Sequence, residues 1–326
     1  MTVLDGYQQE DARICMTLSG MAYAGSKKDL RKLLKDNSYA TQGLWDLCWY
    51  GAQNENLLFV ARQKKTGQLA IVIRGTVWKD LKNVFEDLDV LHTVNWMGGY
   101  ISQGIYTGLQ NLIHLEGEDG STLLNYILQY LADVNPPQIF ITGHSLGGAL
   151  ASVFALHLKT SIVYPANWSV YTFASPSVGD QGFVSYYNNE FSDGISSAYR
   201  IYNNCDLVPC AFASLEYALQ QGIPVASEGI AYDVIKGVIN GAQQQLNERG
   251  LQYMQVSTPV VLNNVGDIPA YLPPPPIWWP PHIGNWLAYQ HGHQTYLELL
   301  GATPLPSTLA ASGRPPMATS TELPLQ

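Results

Sequence analysis

The sequence predicts an α/β fold with a mostly parallel central sheet and helices on both faces. Three observations predict it. Short apolar runs at 57–62, 69–73, 139–141, 170–173 and 199–202 are bounded by turn residues, and from residue 121 on they alternate with helical patterns. Runs that are continuously apolar, rather than alternating, belong to strands buried on both sides, as in parallel sheets flanked by helices. The composition allows a large core: of 326 residues, 46% are hydrophobic and only 13% charged, a globular balance. Finally, Gly143-His144-Ser145-Leu146-Gly147 falls between an apolar strand and a helix of small residues.

Taken in chain order, residues 8–35 read as helix, with Ile14, Leu18, Met21 and Ala22 at helical spacing. The runs 57–62 and 69–73 are joined through Lys64-Lys65-Thr66-Gly67, a hairpin turn. Residues 121–133 form an amphipathic helix with Ser121 as N-cap and a stripe of Leu123, Leu124, Ile127, Leu128 and Leu131, stopped by Asn135-Pro136-Pro137. A strand at 139–141, a helix over 148–158 and strands at 170–173 and 199–202 complete the pattern. We expect one domain over 1–301 with two insertions. The first, about 211–250, carries a helical stripe of Ala231, Val234, Val238 and Ala242; the second, about 264–287, has four consecutive prolines and three tryptophans in YLPPPPIWWPPHIGNWL. The Pro/Ser/Thr-rich tail 302–326 is expected to be disordered.

The charge excludes some functions. Seventeen Lys and Arg against 26 Asp and Glu give −9, with no basic stripe to meet a phosphate backbone, so nucleic acid is not an expected partner. Cys15, Cys48, Cys205 and Cys210 show no disulfide or metal spacing and are expected to be free thiols. The segment MTVLDGYQQEDARI has no basic and apolar leader pattern, and no run is apolar enough to span a bilayer. The expectation is a cytoplasmic protein, with leaderless export left open.

The pentapeptide at 143–147 fits G-x-S-x-G, the strand-to-helix turn that lifts a serine hydroxyl above the sheet edge. This context predicts an α/β-hydrolase with Ser145 as nucleophile, and the helix N-terminus beneath it favours the negative charge formed on attack. In that fold the acid and then the histidine follow the serine. His157 lies on the helix after the turn and suits packing. His291 and His293, in a loop entering a helix near the domain's end, are the candidate bases. No third ligand accompanies them, so neither metal nor cofactor is expected. Asp206 lies just past the 199–202 strand, at the sheet edge where such folds place their sites. Asp180, Asp193 and Asp233 read better as solvated charges.

Seven segments, in order, resemble the class 3 lipase family, the fungal-type triacylglycerol lipases and their bacterial relatives. They are IVIRGT at 71–76, DLDV at 87–90 with QGIYTGL at 103–109, GHSLGGALA at 143–151, YTFASPSVGD at 171–180, RIYNNCDLVP at 200–209 and HGHQTYL at 291–297. The resemblance implies Ser145 as nucleophile, Asp206 as the acid and His291 as the base, the family histidine preceding the Tyr-Leu pair by five residues. It also implies an oxyanion hole of the Thr76 and Leu146 backbone N–H groups.

The expected activity is therefore hydrolysis of acyl-lipid esters through an acyl-enzyme, with an acyl lipid as partner and transient contact with a lipid surface. Residues 91–100 read as a short lid hinged at Gly98-Gly99, and Trp278 and Trp279 as part of an apolar rim. The alternatives are a hydrolase of soluble esters or thioesters and a catalytically inactive binding protein.

Overall fold

The structure, a computed structural model, describes residues 6–75, 88–133, 138–213, 241, 243–264 and 288–309. Its centre is a seven-stranded sheet. In chain order the strands are β1 (Trp45–Gln53), β2 (Asn56–Gln63), β3 (Leu69–Ile73), β6 (Gln138–His144), β7 (Asn167–Phe173), β8 (Ser197–Asn203) and β9 (Thr258–Leu262), and they lie side by side in that order. The first two pairings are antiparallel, and from β3 onward every pairing is parallel. The turn at 64–67 joins β2 to β3 as the sequence predicts.

Burial on both faces explains the continuous apolar strands. Leu69, Ile71 and Ile73 of β3 belong to one core cluster, whereas Ala70 and Val72 belong to the other. The first cluster is closed by α3 (Gln103–Ile113), α4 (Leu123–Asp133), α5 (Leu146–Ser161) and α6 (Gln181–Glu190). The second is closed by α1 (Gln9–Met21), α2 (Lys27–Lys35) and α7 (His293–Leu299). The parallel strands thus end together near one edge, between two helical layers, where this class of fold places its sites.

Several expectations change in detail. The single helix expected over 8–35 is two, because Ser26 caps a new start by accepting the Asp29 N–H at 3.1 Å. The cap of α4 is Thr122, whose hydroxyl takes the Asn125 N–H at 3.4 Å, while Ser121 turns back to Asp119. Strand β1 lacks a sequence signal because an irregularity between Leu47 and Trp49 breaks its alternation. Strand β9 contains Pro259, which is tolerated at a sheet edge.

Segment 91–100, expected as a lid, is a hairpin of β4 (Thr93–Trp96) and β5 (Gly99–Ser102) docked on α6. The Tyr100 N–H donates to Asp180, which also caps α6 through the Phe183 N–H, and the Trp96 ring packs on Phe183. Gly98-Gly99, expected as a hinge, instead turn and seat this hairpin. Met97 and Gly98 both have positive φ, and a Cβ on Gly99 would come within 2.0 Å of the Phe183 nitrogen. A methionine in a turn that favours Asn-Gly conceals the hairpin from sequence reading.

Asn135-Pro136-Pro137, the helical stripe from Ala231 to Ala242, the proline-tryptophan segment with Trp278 and Trp279, and most of the tail lie outside the described residues. No helix among the described residues is long and apolar enough to cross a membrane.

Candidate active site

Strand β6 runs directly into α5 through Ser145, whose φ of 62° and ψ of −133° lie outside the regions open to most side chains. The turn closes because its flanks are glycine. A Cβ on Gly143 would stand 2.2 Å from the Gly147 carbonyl oxygen, and one on Gly147 would stand 2.4 Å from that of Ile73. The Ser145 N–H is tied to the Phe173 carbonyl on β7 at 2.9 Å.

A serine at a helix N-cap ordinarily turns its hydroxyl onto the helix's own N–H groups. Ser145 does not cap, although it occupies that position. Its Oγ is buried and has no hydrogen-bond partner among the described residues. Buried polar atoms are rarely left so. The backbone conformation that withholds the hydroxyl from its own helix leaves it available to a reacting group.

Asp206 and His291, 85 residues apart in sequence, meet here: His291 Nδ1 lies 2.8 Å from Asp206 Oδ2, both side chains buried. The carboxylate is held by donors throughout. Oδ1 takes the Val208 N–H at 3.0 Å, and Oδ2 also takes the Tyr296 hydroxyl at 2.7 Å. The Asn203 N–H donates to that hydroxyl at 3.1 Å, which directs its single proton to Asp206. With a carboxylate beside it, Nδ1 of His291 carries the proton, and Nε2 is the basic nitrogen.

His144, immediately before the serine, joins the two halves of the site. Its Nε2 lies 2.7 Å from the His291 carbonyl oxygen, and the two rings are 4.9 Å apart. On its other side the Tyr23 hydroxyl, at the end of α1, lies 3.3 Å from His144 Nδ1. Burial, reinforced by His291 and His293, holds the His144 imidazole well below the usual histidine range, so it is neutral. Burial likewise pushes the Tyr23 and Tyr296 phenols up, so both remain donors.

The other expected participants are placed less directly. Leu146 is the first residue of α5, so its N–H has no intrahelical acceptor. Thr76 lies outside the described residues, but its neighbour Gly75 packs on the turn, where a Cβ would come within 2.5 Å of the His144 carbonyl oxygen. His293, the rival base, is buried and stacked on Tyr23. Asp180 caps α6, and Asp193 pairs with Lys159 at 2.9 Å. Burial pushes the Asp193 carboxyl up, but backbone N–H groups and Lys159 outweigh it and hold it at about 2. His157 is half-buried against Phe154; Asp233 lies outside the described residues. No group of three His, Cys, Asp or Glu side chains among the described residues is arranged to hold a metal ion. Sequence reasoning passed over His144 and Tyr23, because both precede the serine, and left Asn203 and Gln290 unread because their role is to brace backbone.

Residues 70–215 match the family described as Lipase (class 3). That span runs from β3 past Asp206, so it holds Ser145 and Asp206, while His291 joins them through the fold. Among solved structures, M37 lipase is 22% identical with a TM-score of 0.69, over 90% of this chain and 93% of that one. A Rhizomucor miehei triacylglyceride lipase is 23% identical with a TM-score of 0.50, over 69% and 78%. A lipase from Rhizopus microsporus var. chinensis is 18% identical with a TM-score of 0.50, over 64% and 70%. These likenesses show the fold, and the matched span shows a likeness of sequence: the chain is a serine hydrolase of the α/β-hydrolase fold, similar over residues 70–215 to the class 3 lipase family.

Proposed function

We propose that the protein is a lipase that cleaves the carboxylic esters of acyl lipids with Ser145 as nucleophile, His291 as general base and Asp206 as the group that orients it. The observation that carries this reading is the Ser145 hydroxyl, buried, without a partner among the described residues and held at a strained φ of 62°. Strain of this kind costs on the order of 1–3 kcal/mol and persists where the surrounding fold imposes it.

In the proposed mechanism His291 Nε2 takes the Ser145 proton as Oγ attacks the ester carbonyl. Asp206 keeps the proton of Nδ1 in place and stabilises the imidazolium. The tetrahedral oxyanion is received by the Leu146 N–H, assisted by the positive end of α5, and by the Thr76 N–H. Collapse expels the alcohol, which takes its proton from His291. Water then attacks the acyl-enzyme by the same route and releases the fatty acid. An acyl-lipid substrate also brings the enzyme to a lipid surface.

A hydrolysis panel tests the reading: tri-, di- and monoacylglycerols, phospholipids, galactolipids and a dissolved short-chain ester, each with the wild type and Ser145→Ala. Serine-dependent release of fatty acid from at least one lipid class is the expected result. Hydrolysis confined to the dissolved ester would limit the enzyme to soluble substrates. Equal activity of the variant would remove Ser145 from the mechanism.

A further inference from the structure

The base of the proposed triad sits at the break between two short helical stretches, 288–291 and α7, where the backbone must be fixed by other means. Two clamps hold it. On one side the Asn203 side-chain amide donates to the Gln290 carbonyl at 3.0 Å and to the Gln290 side chain at 2.8 Å, which also takes the Asn264 amide at 2.8 Å. On the other side His144 Nε2 meets the carbonyl oxygen of His291 itself at 2.7 Å.

This second contact has a defined sense. A carbonyl oxygen only accepts, so Nε2 of His144 carries the proton and its Nδ1 is an acceptor, placed to receive the Tyr23 hydroxyl. The ring is fully buried and edge-on to Tyr296 at 5.7 Å, with His293 beyond it at 6.5 Å. Protonation would put a cation among His291, His293, Tyr23 and Tyr296, with no carboxylate of the described residues in direct contact. The neutral Nε2–H form is therefore the one this site accepts.

We infer that His144 is a positioning residue: its Nε2–H holds the His291 main chain and thereby sets the base against the serine that follows His144 in sequence. The middle position of the serine motif then does more than fill space, since the nucleophile's turn and the base's loop are fixed to each other through one imidazole. This inference rests on the proposed triad. Displacement of a catalytic group by about 1 Å can lower a rate by roughly a hundredfold, so a lost clamp should appear in kcat.

Two variants and one measurement on the wild type test it. His144→Phe keeps a ring but no donor, and His144→Gln places an amide N–H at about the reach of Nε2. With a dissolved short-chain ester, kcat of His144→Phe should fall roughly tenfold to a hundredfold, with KM within about twofold. His144→Gln should recover most of that loss. Wild-type kcat in His144→Phe, or equal losses in both variants, would overturn the inference. Should either variant fail to fold, nitrogen-15 NMR of the wild-type imidazoles decides: His144 is expected as the neutral Nε2–H tautomer from about pH 8 to about pH 5.5. An Nδ1–H tautomer, or titration near the ordinary histidine value, would contradict it. His291→Ala separates the two readings. Full activity there removes the base itself, whereas a severe loss there beside an unaffected His144→Phe removes only the clamp.

Discussion

The Tyr296 hydroxyl donates to the same Asp206 oxygen that holds His291, at 2.7 Å, while itself receiving the Asn203 N–H at 3.1 Å. Strand β8 and helix α7 are thereby joined at the carboxylate that orients the proposed base. Because a buried donor or acceptor left without its partner costs about 1–3 kcal/mol, this hydroxyl matters to both stability and geometry.

Tyr296→Phe removes it with little change of volume. The Asn203 N–H loses its acceptor and Asp206 loses a donor, so denaturant unfolding should show a loss of about 1–3 kcal/mol. A modest fall in kcat, several-fold rather than thousandfold, should accompany it, since Val208 and His291 still hold the carboxylate. An unchanged unfolding midpoint would mean that the Asn203 N–H and the Asp206 carboxylate find other partners.

Ser145→Ala and Ser145→Gly should both lack ester hydrolysis yet differ in stability. Alanine at φ 62° inherits the strain of the turn, whereas glycine does not. Ser145→Gly should be the more stable by on the order of 1 kcal/mol. Identical thermal unfolding of the two would show that the turn carries no strain.

His291→Ala should lower kcat by several orders of magnitude. His293→Ala should instead act mainly on stability, because that ring is buried against Tyr23, outside the Asp206 pair. Steady-state kinetics on both, beside their melting curves, would show the split. The reverse pattern would place the base at His293.

Acid should weaken the fold through His144. Its pKa is depressed in the folded protein, chiefly by burial, so below about pH 6.5 the unfolded chain takes up a proton that the folded ring refuses. Stability is therefore lost as the pH falls through that value. His144→Gln lacks this ring, so the wild type should lose stability relative to the variant between about pH 7 and pH 5. Parallel urea midpoints across that range would refute it.

How much of this was legible in the sequence follows from the physics of each part. The central strands were legible because burial on both faces leaves an unbroken apolar run, as at 139–141. Edge strands β1 and β9 were not, since one carries an irregularity and the other a proline. Ser145 declares itself because glycines must flank a turn this tight, and Asp206 because it follows a strand. Periodicity alone left His291 and His293 equal. Only the pairing of Nδ1 with Asp206, 85 residues away, separates them by geometry. The role inferred for His144 was hidden for the same reason, its partner being a main-chain oxygen 147 residues on.

The central claim is that one serine, Ser145, is the nucleophile. The most direct measurement is labelling with an ester-mimicking fluorophosphonate, followed by peptide mass spectrometry and matched against loss of ester hydrolysis. The account predicts one phosphonyl group per chain, on the peptide containing Ser145, with activity falling in proportion to occupancy and no labelling of Ser145→Ala. Complete inactivation with the label on another residue, or full labelling of Ser145 with hydrolysis retained, would contradict it.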